Sequence, residues 1–314
     1  MKIKKALVTG GAGFIGSHLA EALLSEGCEV RVIDDLSTGH LSNLRHIRDH
    51  ITFYQGDIRD QETLANASRE CDIIFHQAAV VSVPKTVDDP INSATVNEMG
   101  TLFVLEAARK NNVKRVVYAS SSAVYGDDPA LPKHEKMRPK PQSPYAVQKL
   151  SGEFYARLYL DLYGVETVSL RYFNVYGPRQ DPSSPYSGVI SIFMTKATSK
   201  ETPVIFGDGD QYRDFIFVKD VVRSNLLAAG ADNVSGKIFN IGRGRITRIN
   251  SLWEMISKLA GFDIKPKYEP PRPGDIRESV ADINSARKAL GFEPDYSFEK
   301  GIENTFEWYQ GQND

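Results

Sequence analysis

The sequence has little to tie it to a disulfide scaffold, a membrane or a nucleic acid. Its 314 residues include two cysteines, Cys28 and Cys71, which offer neither a disulfide framework nor a metal-ligand spacing. No uninterrupted apolar stretch approaches the ~18 residues a membrane span needs. Charge of one sign is missing too: 38 Lys+Arg stand against 40 Asp+Glu, a formal −2, without the clustered basic excess of a nucleic-acid binder. The start, Met1-Lys2-Ile3-Lys4-Lys5-Ala6-Leu7-Val8-Thr9-Gly10, runs from lysines into a short apolar run. A secretory signal needs ~7–15 apolar residues there, so the expectation is a cytoplasmic protein. What is present is 41% hydrophobic residues, enough to offset the entropy of ordering the chain.

The first half alternates short β-branched runs with helical patterns. Ala6-Leu7-Val8, Val30-Arg31-Val32-Ile33, Ile51-Thr52-Phe53-Tyr54, Ile73-Ile74-Phe75, Arg115-Val116-Val117-Tyr118 and Thr167-Val168-Ser169-Leu170-Arg171 read as strands. Helical periodicity lies between them, as in Ala94 to Lys110 with Leu102, Leu105 and Ala108 on one side. Alternation of this kind implies right-handed crossovers and an α/β fold with a Rossmann-type, doubly wound parallel sheet. Beyond residue 174 prolines accumulate and the segments shorten: helices near 189–199, 219–230, 249–260, 283–290 and 298–309, strands near 203–206 and 237–241. The chain therefore divides into a nucleotide-binding domain over 1–173 and a smaller C-terminal α/β substrate-binding domain over 174–314, with some elements crossing between them.

Thr9-Gly10-Gly11-Ala12-Gly13-Phe14-Ile15-Gly16 follows the first strand and opens a helix. Glycines at this spacing permit a tight turn, admit a pyrophosphate close to the backbone and bring helix and strand together. The free N–H groups of the helix start then face the anion. Asp34 ends the second strand, where an acidic residue bonds the adenosine ribose hydroxyls; a carboxylate there repels a 2′-phosphate, which favours NAD over NADP. Asp57, Ala78 and Ala79 fall at the same ligand-binding edge.

Tyr145 and Lys149 are four apart in a predicted helix and share a face. An ammonium beside a phenol favours phenolate, which a general base near neutral pH requires. The pattern is not selective by itself, for Tyr296 and Lys300 repeat it in a polar turn. Context sets the first pair apart. Ser143-Pro144 is a helix-start signal, and Ala146, Leu150, Phe154, Leu158 and Leu162 form a predicted buried stripe that leaves Tyr145 and Lys149 off the core side. Ser120-Ser121-Ser122 follows the fifth strand, where a hydroxyl can hold a substrate alcohol against Tyr145.

These features together resemble the extended short-chain dehydrogenase/reductase family, and within it the nucleotide-sugar 4-epimerases. The resemblance covers nearly the whole chain. It rests on the glycine turn, Ser120-Ser121-Ser122-Ala123-Val124-Tyr125-Gly126, Pro141-Gln142-Ser143-Pro144-Tyr145-Ala146-Val147-Gln148-Lys149 and Leu170-Arg171-Tyr172-Phe173-Asn174-Val175-Tyr176-Gly177. Phe206-Gly207-Asp208-Gly209, Arg213-Asp214-Phe215 and Arg272-Pro273-Gly274-Asp275 add to it. The resemblance implies Tyr145 as acid/base, Lys149 as its partner and holder of the nicotinamide ribose, and Ser121 as the catalytic hydroxyl. For NAD it implies Gly10, Gly13, Phe14, Ile15, Gly16, Asp34, Asp35, Thr38 and Gly39. Further along the chain it adds Asp57, Ile58, Gln77, Ala78, Ala79, Asn97 and Phe173. For a UDP-sugar it implies Ser121, Ser122, Tyr145, Asn174, Val189, Val204, Phe206, Arg213, Arg272, Asp275 and Ser279. No metal is implied.

The implied reaction has two halves. Tyr145 takes the proton of the sugar 4-hydroxyl as hydride leaves C4 for NAD, and the 4-keto sugar turns over and takes the hydride back on its other face. Dehydratases of the family carry Asp-Glu after the catalytic Thr, and decarboxylases carry Glu before Val-Tyr-Gly; here Ser122-Ala123 stands instead. UDP-glucuronate 4-epimerase is the alternative substrate reading, and a non-catalytic NAD-sensing regulator the alternative class. Ser279 aligns with the position lining the sugar pocket near C2, where glucose-restricted epimerases carry tyrosine and enzymes accepting N-acetylated sugars carry a small residue. UDP-GlcNAc/UDP-GalNAc interconversion, with some UDP-Glc/UDP-Gal activity, is the expectation. The family also implies a homodimer joined through two helices per subunit.

Overall fold

The computed structural model describes residues 3–181, 188–262, 264–271 and 277–311. Its first half builds β1 (Lys5–Thr9), α1 (Phe14–Ser25), β2 (Glu29–Asp34), β3 (Ile51–Gln55), α2 (Gln61–Ser68), β4 (Ile73–His76), α3 (Val83–Asp88), α4 (Pro90–Ala94), α5 (Gly100–Lys110), β5 (Arg115–Ser121), α6 (Pro144–Tyr163) and β6 (Glu166–Tyr172). A π-helical turn, Thr95–Met99, joins α4 to α5, so the helix expected from Ala94 starts earlier and is interrupted. The second half adds β7 (Asn174–Tyr176), α7 (Val189–Thr198), β8 (Val204–Phe206), β9 (Tyr212–Arg213), β10 (Phe215–Phe217), α8 (Val218–Gly230), β11 (Lys237–Ile241), β12 (Thr247–Arg248), α9 (Ile249–Leu259), β13 (Lys267–Glu269), α10 (Asn284–Leu290) and α11 (Phe298–Gln310).

Seven strands form one sheet in the order β11-β6-β5-β4-β1-β2-β3, every pair parallel. Helices cover both faces, so the central strands are buried on both sides rather than alternating; Ala6, Leu7 and Val8 of β1 are all fully buried, and Ser169 and Arg171 of β6 are buried as well. The chain crosses back after residue 174. β11 pairs with β6, and Val221, Val222 and Ala228 of α8 share a core cluster with Leu19 and Leu23 of α1. The rest of the second half has its own core around Phe193, Trp253 and Phe306, with three two-stranded sheets, β10-β7, β12-β9 and β13-β8. Among the described residues no helix is long and apolar enough to cross a membrane.

Helix α6 corrects one expectation. Ser143 caps it by accepting from the Ala146 N–H, Pro144 opens it and Gly164, at φ 70°, closes it, as helix-end rules require. Of the predicted stripe, Ala146 is buried and Leu150 packs against the cluster around Val124 and Phe173, but Phe154, Leu158 and Leu162 face outward, 62, 47 and 66% exposed. The buried face carries Gln148, Lys149, Gly152, Glu153 and Ala156 instead. Gly152 lies where any Cβ would strike the Tyr118 hydroxyl, so the helix can dock closely only on that side. Polar residues with partners in β5 and β6 then occupy the core face.

Candidate active site

Because all seven strands run one way, the ends of β1, β2, β4, β5 and β6 meet at one edge, the edge where open α/β sheets bind ligands. At β1, Gly10 takes φ 66°, and a Cβ there would sit 2.7 Å from the Ala78 nitrogen. A Cβ on Gly16 would run into the Gly10 carbonyl. The turn thus brings β1, β4 and the start of α1 into contact with no side chain between them. The N-cap of α1 is Gly13, with no side-chain cap, which leaves its first N–H groups open toward Phe14 and Ile15 for an anion. This cradle fits a dinucleotide pyrophosphate.

Asp34 is 7% exposed, and its carboxylate accepts from the N–H groups of Ala12 (2.9 Å) and Leu36 (2.8 Å). Burial pushes its pKa up, with those two hydrogen bonds pulling against it. A Cβ on Gly39, next to Thr38, would lie 2.7 Å from Asp34 Oδ1, so the loop after β2 is folded onto this carboxylate. Asp35 caps the same loop through the Ser37 N–H. Asp57 follows β3 and is gripped by Arg59, whose Nε donates to Oδ1 and whose Nη2 donates to Oδ2; its neighbour Ile58 is buried. After β4, Gln77 donates to the Tyr172 hydroxyl (3.1 Å). Asn97 is spoken for: it accepts from the Val80 N–H and donates to the Val80 carbonyl and to Gln148, so it braces the segment after Ala78 and Ala79 against α6.

Ser121 ends β5, and its Oγ accepts from the Ala123 N–H (3.2 Å), which starts the turn containing Ser122. Tyr145 stands in the first turn of α6. Burial pushes its phenol pKa up, and the Ser121 hydroxyl beside it pulls the other way. Lys149 is 4% exposed; its Nζ donates to the Ala119 carbonyl (2.8 Å) and lies 5.9 Å from the Tyr145 ring centre. Burial pulls Lys149 down to about 7. The pair therefore departs from the simple expectation: the dry site that it shares with the phenol disfavours the ammonium meant to lower that phenol.

Phe173, expected to meet NAD, and Asn174, expected to meet the substrate, follow β6 at this edge; the other substrate positions after them belong to the second half of the chain. Phe173 is buried against Tyr125. Asn174 donates from its backbone N–H to the Asp214 carbonyl (3.0 Å). Arg213 donates to the Arg277 carbonyl (3.1 Å), and the Ser279 N–H donates to the Tyr212 carbonyl (3.3 Å), so residues 277–279 run beside β9. Val204 and Phe206 flank β8, which pairs with β13, and Val189 opens α7. Arg272 and Asp275 lie outside the described residues.

This arrangement has counterparts. Residues 6–242 match the model of the NAD dependent epimerase/dehydratase family. The chain belongs to that family. NAD, expected from the glycine turn and Asp34, is the cofactor by which the family is described. A relative named UDP-glucose 4-epimerase, from Mycolicibacterium smegmatis, is 42% identical over 98% of this chain and 99% of its own. Two solved structures superpose on nearly the whole fold. The UDP-N-acetylglucosamine 4-epimerase of Methanobrevibacter ruminantium, in complex with UDP-N-acetylmuramic acid, has a TM-score of 0.95 and 42% identity, covering 99% of this chain and all of its own. The UDP-glucose 4-epimerase of Thermotoga maritima, with UDP-glucose, has a TM-score of 0.94 and 39% identity at the same coverage.

Reading the sequence alone misses the buried polar groups behind this epimerase-family site. Asp214 is fully buried and accepts from the N–H groups of Arg243, Gly244 and Ala281; burial raises its pKa to about 6. It ties β7, the turn after β11 and the segment after Ser279 into one unit. Its place in Arg213-Asp214-Phe215 was the available signal. His76, bracketed by Thr9 (2.8 Å) and Thr101 (3.0 Å), is held neutral by burial, at about 3.

Proposed function

We infer that the chain is a UDP-sugar 4-epimerase that interconverts UDP-GlcNAc and UDP-GalNAc, with activity on UDP-Glc and UDP-Gal. The observation that carries this reading is Ser279: a small, buried residue whose N–H donates to the Tyr212 carbonyl, next to Arg213. An N-acetyl group adds several heavy atoms at C2, and a serine leaves the wall receded where a tyrosine would fill it. Relatives described as acting on the plain and on the N-acetylated sugar are about equally similar, so overall identity does not choose between them.

NAD supplies the hydride acceptor. Tyr145 takes the proton of the 4-hydroxyl and returns it, Ser121 holds that hydroxyl, and Lys149 steadies the phenol and the ribose. Asp34 receives the adenosine ribose. Arg213 and Arg272 are suited to the diphosphate because a guanidinium fork matches its oxygens. Ser122 and Ala123 provide no second acid, which weighs against elimination at C6. Strong anchoring at the nucleotide and weak contacts at the sugar allow the 4-keto intermediate to turn.

The same reading makes the working unit a homodimer. Phe154, Leu158 and Leu162 leave an exposed apolar stripe on α6; a second copy would cover it. Sedimentation as a monomer at micromolar concentration would overturn this.

The function is tested by incubating the protein with UDP-GlcNAc, UDP-Glc and UDP-glucuronate and following the anomeric protons by NMR. Wild type should convert the first two. Ser279→Tyr should suppress UDP-GlcNAc turnover and spare UDP-Glc. Conversion of UDP-glucuronate alone would move the substrate, and NAD binding without any turnover would favour a regulator.

A further inference from the structure

One buried charge pair lies just behind the proposed base, and nothing in the reaction as written uses it. Glu153 on α6 and Arg171 on β6 are each 2% exposed at the side chain. They meet as a two-pronged fork, Arg171 Nε to Oε1 at 2.8 Å and Nη2 to Oε2 at 2.7 Å. Ser120, the neighbour of Ser121, donates to the same Oε1 at 2.5 Å. The guanidinium carbon lies 4.8 Å from the Tyr125 ring centre, and Nη1 has no hydrogen-bond partner.

A pair like this is a poor stabiliser. Removing both charges from water costs about as much as their attraction returns, and apolar pairs of similar volume often serve as well or better. What a fork provides is direction, since two parallel bonds fix both distance and angle. Here the direction matters. Tyr145, Lys149 and Glu153 are spaced four apart along one side of α6, and Lys149 and Glu153 bind successive residues of β5, through the Ala119 carbonyl and the Ser120 hydroxyl.

We propose that Glu153 and Arg171 are positioning residues, which lock the rotation and tilt of α6 so that Tyr145 meets the substrate hydroxyl held by Ser121. The inference rests on Tyr145 being the base. Glu153 stands eight residues from Tyr145, about 12 Å along the helix. A tilt of roughly 5° about Glu153 therefore displaces the phenol by about 1 Å, a misplacement that can cost ~10²-fold in rate. The lock continues toward the sugar pocket. Tyr125, under the guanidinium, donates to Asn240 at 2.7 Å, and Asn240 donates to the carbonyls of Lys133 and Asp282, the latter three residues past Ser279.

The test compares wild-type holoenzyme with the paired variant E153M/R171M, with R171K and with Y145F. The paired variant should keep its thermal midpoint, lose kcat by roughly 10²-fold and hold KM for the UDP-sugar within threefold. A full primary isotope effect should appear with substrate deuterated at C4. R171K keeps the charge and loses the fork, so it should show the same split in milder form. A folded pair variant with kcat within threefold of wild type overturns the proposal, as does R171K at full speed or failure of both variants to fold. Undiminished turnover by Y145F would instead overturn the assignment of the base, whatever the other variants do.

Discussion

Replacing Lys149 by methionine should make the protein more stable near neutral pH while abolishing turnover. The ammonium is held in a dry site that lowers its pKa from 10.5 to about 7. Below pH 7 the folded state must carry the charge there, and the penalty is fully present. As pH rises from 7 toward 10.5, the folded form has released its proton and the unfolded form still holds one, so stability climbs and the penalty fades. At 1.36 kcal/mol per pK unit, the penalty is on the order of 4–5 kcal/mol at pH 6.5 and about 1 kcal/mol at pH 9.5. Methionine removes it but leaves the Ala119 carbonyl without its donor, a loss of ~1–3 kcal/mol. The net is a gain of about 2 kcal/mol at pH 6.5 and a loss of about 1 kcal/mol at pH 9.5. With about 2.1 cal/mol/K of unfolding entropy per residue, the midpoint should rise by about 3 °C at the lower pH and fall by about 1–2 °C at the higher. Scanning calorimetry on dinucleotide-stripped protein reads this directly. A variant less stable at pH 6.5, or a difference that does not change with pH, would refute the argument.

Tyr145→Phe removes the proton acceptor without changing ring volume, and should lower kcat by at least ~10²–10⁴-fold while leaving UDP-sugar affinity within a few-fold, read by calorimetric titration. Asp34→Ala strips the carboxylate from both the Ala12 loop and the ribose; the purified variant should carry no dinucleotide by absorbance after denaturation, and retention of NAD would sink the ribose assignment.

The glycine turn and the six strands of the first half were legible because each strand carries a short run rich in apolar and β-branched residues and ends at a turn or a polar residue. The start of α6 was equally plain, since a serine cap followed by proline is a local signal. Its orientation was not. Apolar periodicity marks a face but does not say what covers it, and here the core side is settled by Gly152 and by an arginine inside an apolar strand. The same blindness affected Lys149: its neighbours in sequence predict a charged amine, and only the depth of the site shows what that charge costs. Asp214 stands out in the sequence only as the neighbour of Arg213, because its backbone partners come from two segments 29 to 67 residues further along the chain.

The return of β11 to the sheet has a consequence for how this protein is made. Until residue 241 has left the ribosome, β6 is an open edge with its row of N–H and C=O groups unpaired. The guanidinium of Arg115, buried in the finished fold, also waits for the carbonyls of Ala228, Ala229 and Ala231. At 5–20 residues per second the gap between β6 and β11 lasts roughly 3–14 s. During that interval the nascent chain presents an open strand edge and an arginine held by Glu166 alone. A fragment ending near residue 173 would never leave that state, so the first half should not be obtainable as a soluble, independently folding piece.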